Sequence, residues 1–150
     1  MAPYFLLIED SAATRELIEQ AFRQQEQAGA LRCVDGVTSA LALLSRQGDS
    51  VEAGLPAAVL LDLKLGGEHG LQFLRRLRED SRLNRIPVVV LTTSDDPRDI
   101  EACYRYGANG YVLKPGTYEA LTALVGDLCR YWLNWNRCGY AVDSNKESCT

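Results

Sequence analysis

Residues 57–67 read A-A-V-L-L-D-L-K-L-G-G, an apolar run that carries one carboxylate, Asp62. Burying an ionised carboxylate is costly unless a cation or hydrogen-bond donors surround it, so the acid needs a reason to be there. The run is short and continuously apolar rather than alternating, which marks a strand covered on both faces. Y-F-L-L-I (4–8), P-V-V-V-L-T (87–92) and G-Y-V-L (110–113) have the same character, and a fainter L-R-C-V (31–34) completes a set of strands.

Helical spacing fills the intervals between these runs. Ala13, Leu17, Ile18, Ala21 and Phe22 recur at three- and four-residue steps, as do Ala40, Leu41, Leu43 and Leu44, and then Leu71, Phe73, Leu74 and Leu77. Residues 97–106 open with Pro97 in a first turn and stop at Gly107, and 117–136 follow Gly116 as the longest helix. Residues 47–56 read as a turn-rich connection and 137–150 as a polar, partly disordered tail. Strict strand–helix alternation with right-handed crossovers predicts an α/β fold over residues 1–136. The expected architecture is a doubly wound five-stranded parallel sheet in the flavodoxin-like order 2-1-3-4-5, with helices on both faces.

Composition narrows the function. The balance of 16 Lys and Arg against 20 Asp and Glu leaves a net charge of −4, which argues against a general nucleic-acid binder. The local run R-R-L-R (75–78) reads as a solvated helix face. Every apolar stretch falls far short of the roughly 20 residues that span a bilayer, so no membrane role is expected. The opening M-A-P-Y-F-L-L-I-E-D lacks the basic segment of a signal peptide, and a cytoplasmic location is expected. The cysteines at 33, 103, 129, 138 and 149 are odd in number and scattered, which suggests neither a disulfide framework nor a zinc site.

In an open α/β sheet, ligands bind outside the carboxyl ends of the strands. There the sequence puts Glu9 and Asp10 after the first strand, Asp62 at the end of the third, Thr92 and Thr93 at the end of the fourth, and Lys114 after the fifth. Singly, each would be a helix cap or a solvated loop residue. Together, carboxylates with one lysine are what a hard divalent ion and a phosphoryl group require.

With E-D at 9–10, a lone aspartate in L-L-D-L-K-L (60–65), Gly70 eight residues later, T-T at 92–93 and Y-V-L-K-P at 111–115, the chain resembles the receiver domain of two-component response regulators from residue 4 to about 130. The resemblance implies that Asp62 takes a phosphoryl group from a phosphohistidine on a sensor histidine kinase. It implies Mg²⁺ held by Glu9, Asp10, Asp62 and the backbone carbonyl of Lys64, with Lys114, Thr92 and Thr93 at the phosphate. Tyr111 is then the switch aromatic that follows Thr92 inward. One stretch departs from the family: L-G-G-E-H-G (65–70) carries Gly66 where many members have proline, and His69 before the glycine. A more mobile loop is expected there, with His69 a surface residue and no catalyst.

The phrasing of G-L-P-A-A-V-L-L-D-L-K-L (54–65), V-L-T-T-S-D-D (90–96), K-P-G-T-Y-E (114–119) and Y-W-L (131–133) is similar to the single-domain regulators that partner bacterial phytochrome kinases. No DNA-binding output domain is expected, since residues 137–150 are too few for a helix-turn-helix, so output would be protein contact or phosphate relay. The final helix outruns what is needed to cover a strand. Leu121, Leu124, Val125, Leu128 and Trp132 form its core stripe, with Tyr131, Leu133 and Trp135 on other faces. A homodimer anchored by Tyr131, Trp132 and Trp135 is expected. Two alternatives stand beside the phosphoacceptor. One is a Mg²⁺-dependent phosphohydrolase of the haloacid dehalogenase type, which wants an acid where Lys64 stands; the other is a binding module independent of phosphorylation.

Overall fold

The computed structural model describes residues 3–25, 31–49 and 54–140. Its central strands are β1 (Phe5–Ile8), β2 (Leu31–Val34), β3 (Ala58–Leu61), β6 (Val88–Thr92) and β7 (Gly110–Leu113); β4 (Lys64–Leu65) and β5 (Glu68–His69) form a separate short hairpin. The five-stranded sheet runs β2-β1-β3-β6-β7 with every pairing parallel, which is the expected 2-1-3-4-5 order once the hairpin is set aside.

The continuous apolarity of the strands follows from two-sided burial. Leu6, Ile8, Val59, Leu61, Val88 and Val90 face one core, shared with Val37 and Ala40 of α2 (Val37–Asp49), Phe73 and Leu77 of α3 (Gly70–Glu79) and Cys103 of α4 (Pro97–Arg105). The alternate residues Phe5, Leu7, Ala58, Leu60, Val89 and Leu91 face the other, shared with Ile18 and Phe22 of α1 (Ala12–Arg23) and Val125 of α5 (Tyr118–Leu128). The apolar side chains of the central strands thus have helices on both faces of the sheet.

Helix ends match their local sequence. Ser11, Asp96 and Thr117 cap α1, α4 and α5 through side-chain oxygens, and Pro97 opens α4. The C-terminal end of α4 is tied down by Arg78, whose guanidinium donates to the carbonyls of Gly107 (2.7 Å) and Ile86 (2.8 Å). Gly107 adopts φ +97°, and a Cβ there would lie 2.8 Å from Arg78 Nε.

The chain differs from its sequence reading in four places. Helix α2 continues to Asp49, into the stretch read as a turn-rich connection. A short hairpin, not read from the sequence, occupies the loop 65–70: Lys64 pairs with His69 and Leu65 with Glu68 around Gly66, which takes φ +62°. The final helix changes pitch, α5 ending at Leu128 and a π-helical segment, η1, running from Cys129 to Trp135. The wider turn rotates the buried stripe, so Leu128 and Cys129 are followed by Leu133, while Trp132 is only half-buried. Leu133, read as lying off the core face, is therefore core.

The fourth difference is beyond η1. Cys138 packs on the α1/α5 side and Tyr140 on the opposite side, so residues 136–140 strap the amino-terminal edge of the sheet. The Tyr140 hydroxyl donates to Pro56 O at 2.6 Å, and Arg85 donates to Gly139 O at 3.0 Å. This much of the expected polar tail is packed; its remainder, 141–150, lies outside the described residues.

Candidate functional site

At the carboxyl edge of the sheet, β1 delivers Glu9 and Asp10, β3 delivers Asp62, β6 ends at Thr92, and Lys114 follows β7. Parallel register sets this convergence, because Ile8 aligns with Leu61 and Thr92 with Leu113. Glu9 and Asp62 are buried at 2% and 7% exposure, whereas Asp10 is exposed. Carboxylate oxygens from all three lie within 4.8 Å of one another.

Lys114 Nζ answers the buried charge. It lies 3.2 Å from Asp62 Oδ2 and 3.3 Å from Glu9 Oε2, and its own side chain is 16% exposed. The backbone N–H of Lys64 lies 3.5 Å from Asp62 Oδ1, and that of Asp62 donates to Ile8 O at 3.1 Å. One ammonium cannot neutralise three carboxylates. Burial, then the hydrogen bond and charge of Asp62, push the Glu9 carboxyl up to about 7. Burial also works against ionised Asp62, but the hydrogen bond from Glu9 and the Lys114 charge outweigh it and hold that group below the usual carboxylate range. The pair therefore carries one shared proton more readily than two negative charges.

All the converging donors are hard oxygens, with one carboxylate facing water and two anchored beneath. That donor set suits a divalent cation of the Mg²⁺, Mn²⁺ or Ca²⁺ kind, whose charge would offset the burial and the carboxylate repulsion that raise the Glu9 pKa.

Backbone constraints hold Asp62 in place. Gly70, the first residue of α3, donates to Leu63 O at 2.8 Å, and a Cβ on it would lie 2.4 Å from Asp62 O. Only glycine lets α3 start this close to the strand end. His69 precedes it as the α3 cap, its Nδ1 accepting from Leu71 N at 3.2 Å. The capping role escaped the sequence reading because histidine is not among the usual cap residues.

Thr92 is fully buried, its hydroxyl lying 3.4 Å from the backbone N–H of Ser94, while Thr93 is exposed. The Tyr111 hydroxyl donates to Ser94 O at 2.8 Å, which joins β7 to the β6–α4 loop. Tyr131, Trp132 and Trp135 stand apart from this cluster on η1. Tyr131 and Trp135 are 52% and 76% exposed, and Tyr131 packs edge-on against Trp132 at 4.9 Å between ring centroids.

Fold and site together define a doubly wound α/β domain whose functional cleft is an acidic, cation-ready pocket facing a lysine at the strand ends. The chain belongs to the response regulator receiver domain family, whose model matches residues 5–126. It is 38% identical over 132 residues to the probable methanogenesis regulatory protein FilR2 of Methanothrix harundinacea, covering 88% of this chain and 84% of FilR2. It is 33% identical over 128 residues to the response regulator Rcp1 of Synechocystis, covering 85% and 87%. Among solved structures, the phosphorylated cyanobacterial phytochrome response regulator RcpA matches with a TM-score of 0.82 at 30% identity, over 93% of this chain and 100% of RcpA. The Mn²⁺-bound form of Rcp1 matches at 0.78 and 30%, over 92% and 99%. Lys64, where a haloacid dehalogenase-type phosphohydrolase wants its second acid, is an exposed lysine in the β4–β5 hairpin. Among the described residues, no helix is long and apolar enough to cross a membrane.

Proposed function

We propose that this chain is a phosphoacceptor of a two-component system, and that Asp62 takes the phosphoryl group from a phosphohistidine on a sensor kinase. The observation that carries the reading is the ion-paired convergence of buried Asp62 with Glu9, Asp10 and Lys114 at one strand edge. A carboxylate oxygen of Asp62 forms the new P–O bond as the P–N bond to the kinase histidine breaks, and the imidazole leaves with its electron pair. Glu9, Asp10, Asp62 and the carbonyl of Lys64 would hold Mg²⁺, which supplies charge neutralisation between the anionic nucleophile and the anionic phosphoryl group. Lys114 sits close enough to Asp62 for its ammonium to pair with the phosphoryl oxygens. Thr92 donates its hydroxyl to the phosphoryl group, Thr93 lines the phosphate from the exposed side, and Tyr111 couples the event to the β6–α4 loop.

The donor kinase is of the phytochrome type, by likeness to RcpA. The signalling unit spans residues 1–136 with 137–140 packed against it as a strap, and it pairs as a homodimer through the aromatic end of η1, where exposed Trp135 and Tyr131 are the anchors and Trp132 is shared with the core. A cytoplasmic location follows from the same reading, since the kinase phosphohistidine is found there.

Incubation with acetyl phosphate and Mg²⁺ should add one acid-labile phosphoryl group, absent in Asp62→Asn. An unchanged mass under every donor condition would refute the reading. A phosphotransfer profile across phytochrome-type and other histidine kinases tests the partner. Sedimentation of wild type against Trp135→Ala tests the dimer, which should shift toward monomer in the variant.

A further inference from the structure

We propose that Asp99 is a positioning residue for the Thr92 hydroxyl, acting through Ser94. The inference rests on the reading that Thr92 donates to a phosphoryl group on Asp62. Ser94 occupies the loop between β6 and α4, and four hydrogen bonds meet on it. Its backbone N–H reaches the Thr92 hydroxyl oxygen at 3.4 Å, and its carbonyl accepts from Tyr111 at 2.8 Å. Its hydroxyl donates to the carboxylate of Asp99, in the first turn of α4, and accepts from the backbone N–H of Asp96 at 3.3 Å.

The contact to Thr92 has a chemical consequence. A hydroxyl that accepts on a lone pair keeps its proton to donate elsewhere, so Ser94 N orients Thr92 as a donor. That orientation holds only while Ser94 is fixed, and the one carboxylate gripping its hydroxyl is Asp99. Asp99 is not occupied by capping duty, because Asp96 caps α4 and also pairs with Arg98 at 2.9 Å. Nor does Asp99 touch the carboxylate cluster, so its effect on phosphoryl binding must pass through the loop. Polar ties of this kind set the position of α4, which buries only Cys103 among its own side chains.

The test uses beryllofluoride as the phosphoryl analogue, titrated calorimetrically into the full chain at saturating Mg²⁺, with Mg²⁺ affinity measured separately. Asp99→Ala should bind beryllofluoride about fivefold more weakly, what one ordinary hydrogen bond is worth. Ser94→Ala and the double variant should match it, since both cut the same link. Asp99→Asn, which still offers an oxygen to the Ser94 hydroxyl, should stay within about twofold of wild type. Mg²⁺ affinity should be unchanged throughout. Equal beryllofluoride affinities in Asp99→Ala and wild type would overturn the inference. So would an Asp99→Asn as weak as Asp99→Ala, or a parallel loss of Mg²⁺ binding. A wild-type chain that fails to bind beryllofluoride at all would overturn the phosphoacceptor reading itself, and the inference with it.

Discussion

Substituting alanine at Gly70 separates the geometry of the proposed phosphorylation site from ordinary helix stability. A Cβ there lies 2.4 Å from Asp62 O, 3.0 Å from Leu63 Cα and 3.3 Å from Asp62 C, all backbone atoms with no rotamer to escape into. An acceptable carbon–oxygen approach is about 3.3 Å, so the start of α3 and the end of β3 must part by roughly 0.9 Å. Overpacking of this kind costs about 1–3 kcal/mol. Alanine returns at most about 0.5–1 kcal/mol by restricting the unfolded chain and favouring the helix. A net loss of up to about 2.5 kcal/mol in urea denaturation is expected. The effect on chemistry is larger, because a displacement near 1 Å of a reacting group can cost on the order of 100-fold. Phosphorylation by acetyl phosphate should slow by about 10- to 100-fold. Gly67→Ala is the control, since a Cβ at Gly67 meets nothing within 4 Å and the residue does not sit at positive φ. A Gly70→Ala protein as stable as wild type and phosphorylated at the same rate would refute the close-approach argument.

Tyr140→Phe removes the 2.6 Å hydrogen bond to Pro56 O and should cost about 1 kcal/mol in chemical denaturation while leaving phosphorylation unchanged, because the strap lies at the opposite edge of the sheet from Asp62. Three thiols, Cys103 and Cys129 buried and Cys33 half-buried, add a pH dependence. Burial, aided by Glu19, pushes Cys33 up to about 12, burial and Asp99 push Cys103 up to about 11, and burial pushes Cys129 up to about 11. In the unfolded chain these thiols ionise near 8.5, so the folded state binds more protons between the two values and stability falls as pH rises from about 8.5 toward 11. Denaturation midpoints measured across that range under reducing conditions should decline, and iodoacetamide at pH 8 should modify these three cysteines far more slowly in the native protein than in urea.

The site was readable in the sequence because its polar members recur together at the ends of strands that are otherwise apolar. Asp62 interrupts an apolar run, and Lys114 follows a strand that ends in apolar residues. Gly70 stands where a helix would otherwise start with a larger side chain. The sheet was readable for a related reason: parallel strands buried on both faces have no polar alternation to obscure them. What escaped has physical causes too. A two-residue ladder such as Lys64–Leu65 against Glu68–His69 has no periodicity to detect. The π-helical turn shifts the core stripe from Trp132 to Leu133, and nothing in C-R-Y-W-L-N-W distinguishes that pitch from an α-helix. Tyr140 belongs to no periodic run, and its half-burial depends on Pro56, a contact 84 positions away in the chain. The Ser94–Asp99 tie is a five-residue polar contact of a kind common in solvated loops, and it acquires meaning only once Thr92 and Tyr111 are seen to meet on the same residue.

The central claim is that Asp62, and no other carboxylate of the cluster, forms an acyl phosphate. Borohydride reduction of the phosphorylated chain converts such a group to homoserine, which peptide mass spectrometry can locate. Glu9 and Asp10 lie close enough to be genuine competitors, with carboxylate oxygens inside the same 4.8 Å. The expected result is homoserine at position 62 alone, Mg²⁺-dependent, and absent in Asp62→Asn. Reduction at Glu9 or Asp10 in the wild type, or a phosphoryl group that resists borohydride and survives acid as a serine or threonine ester would, would contradict the account.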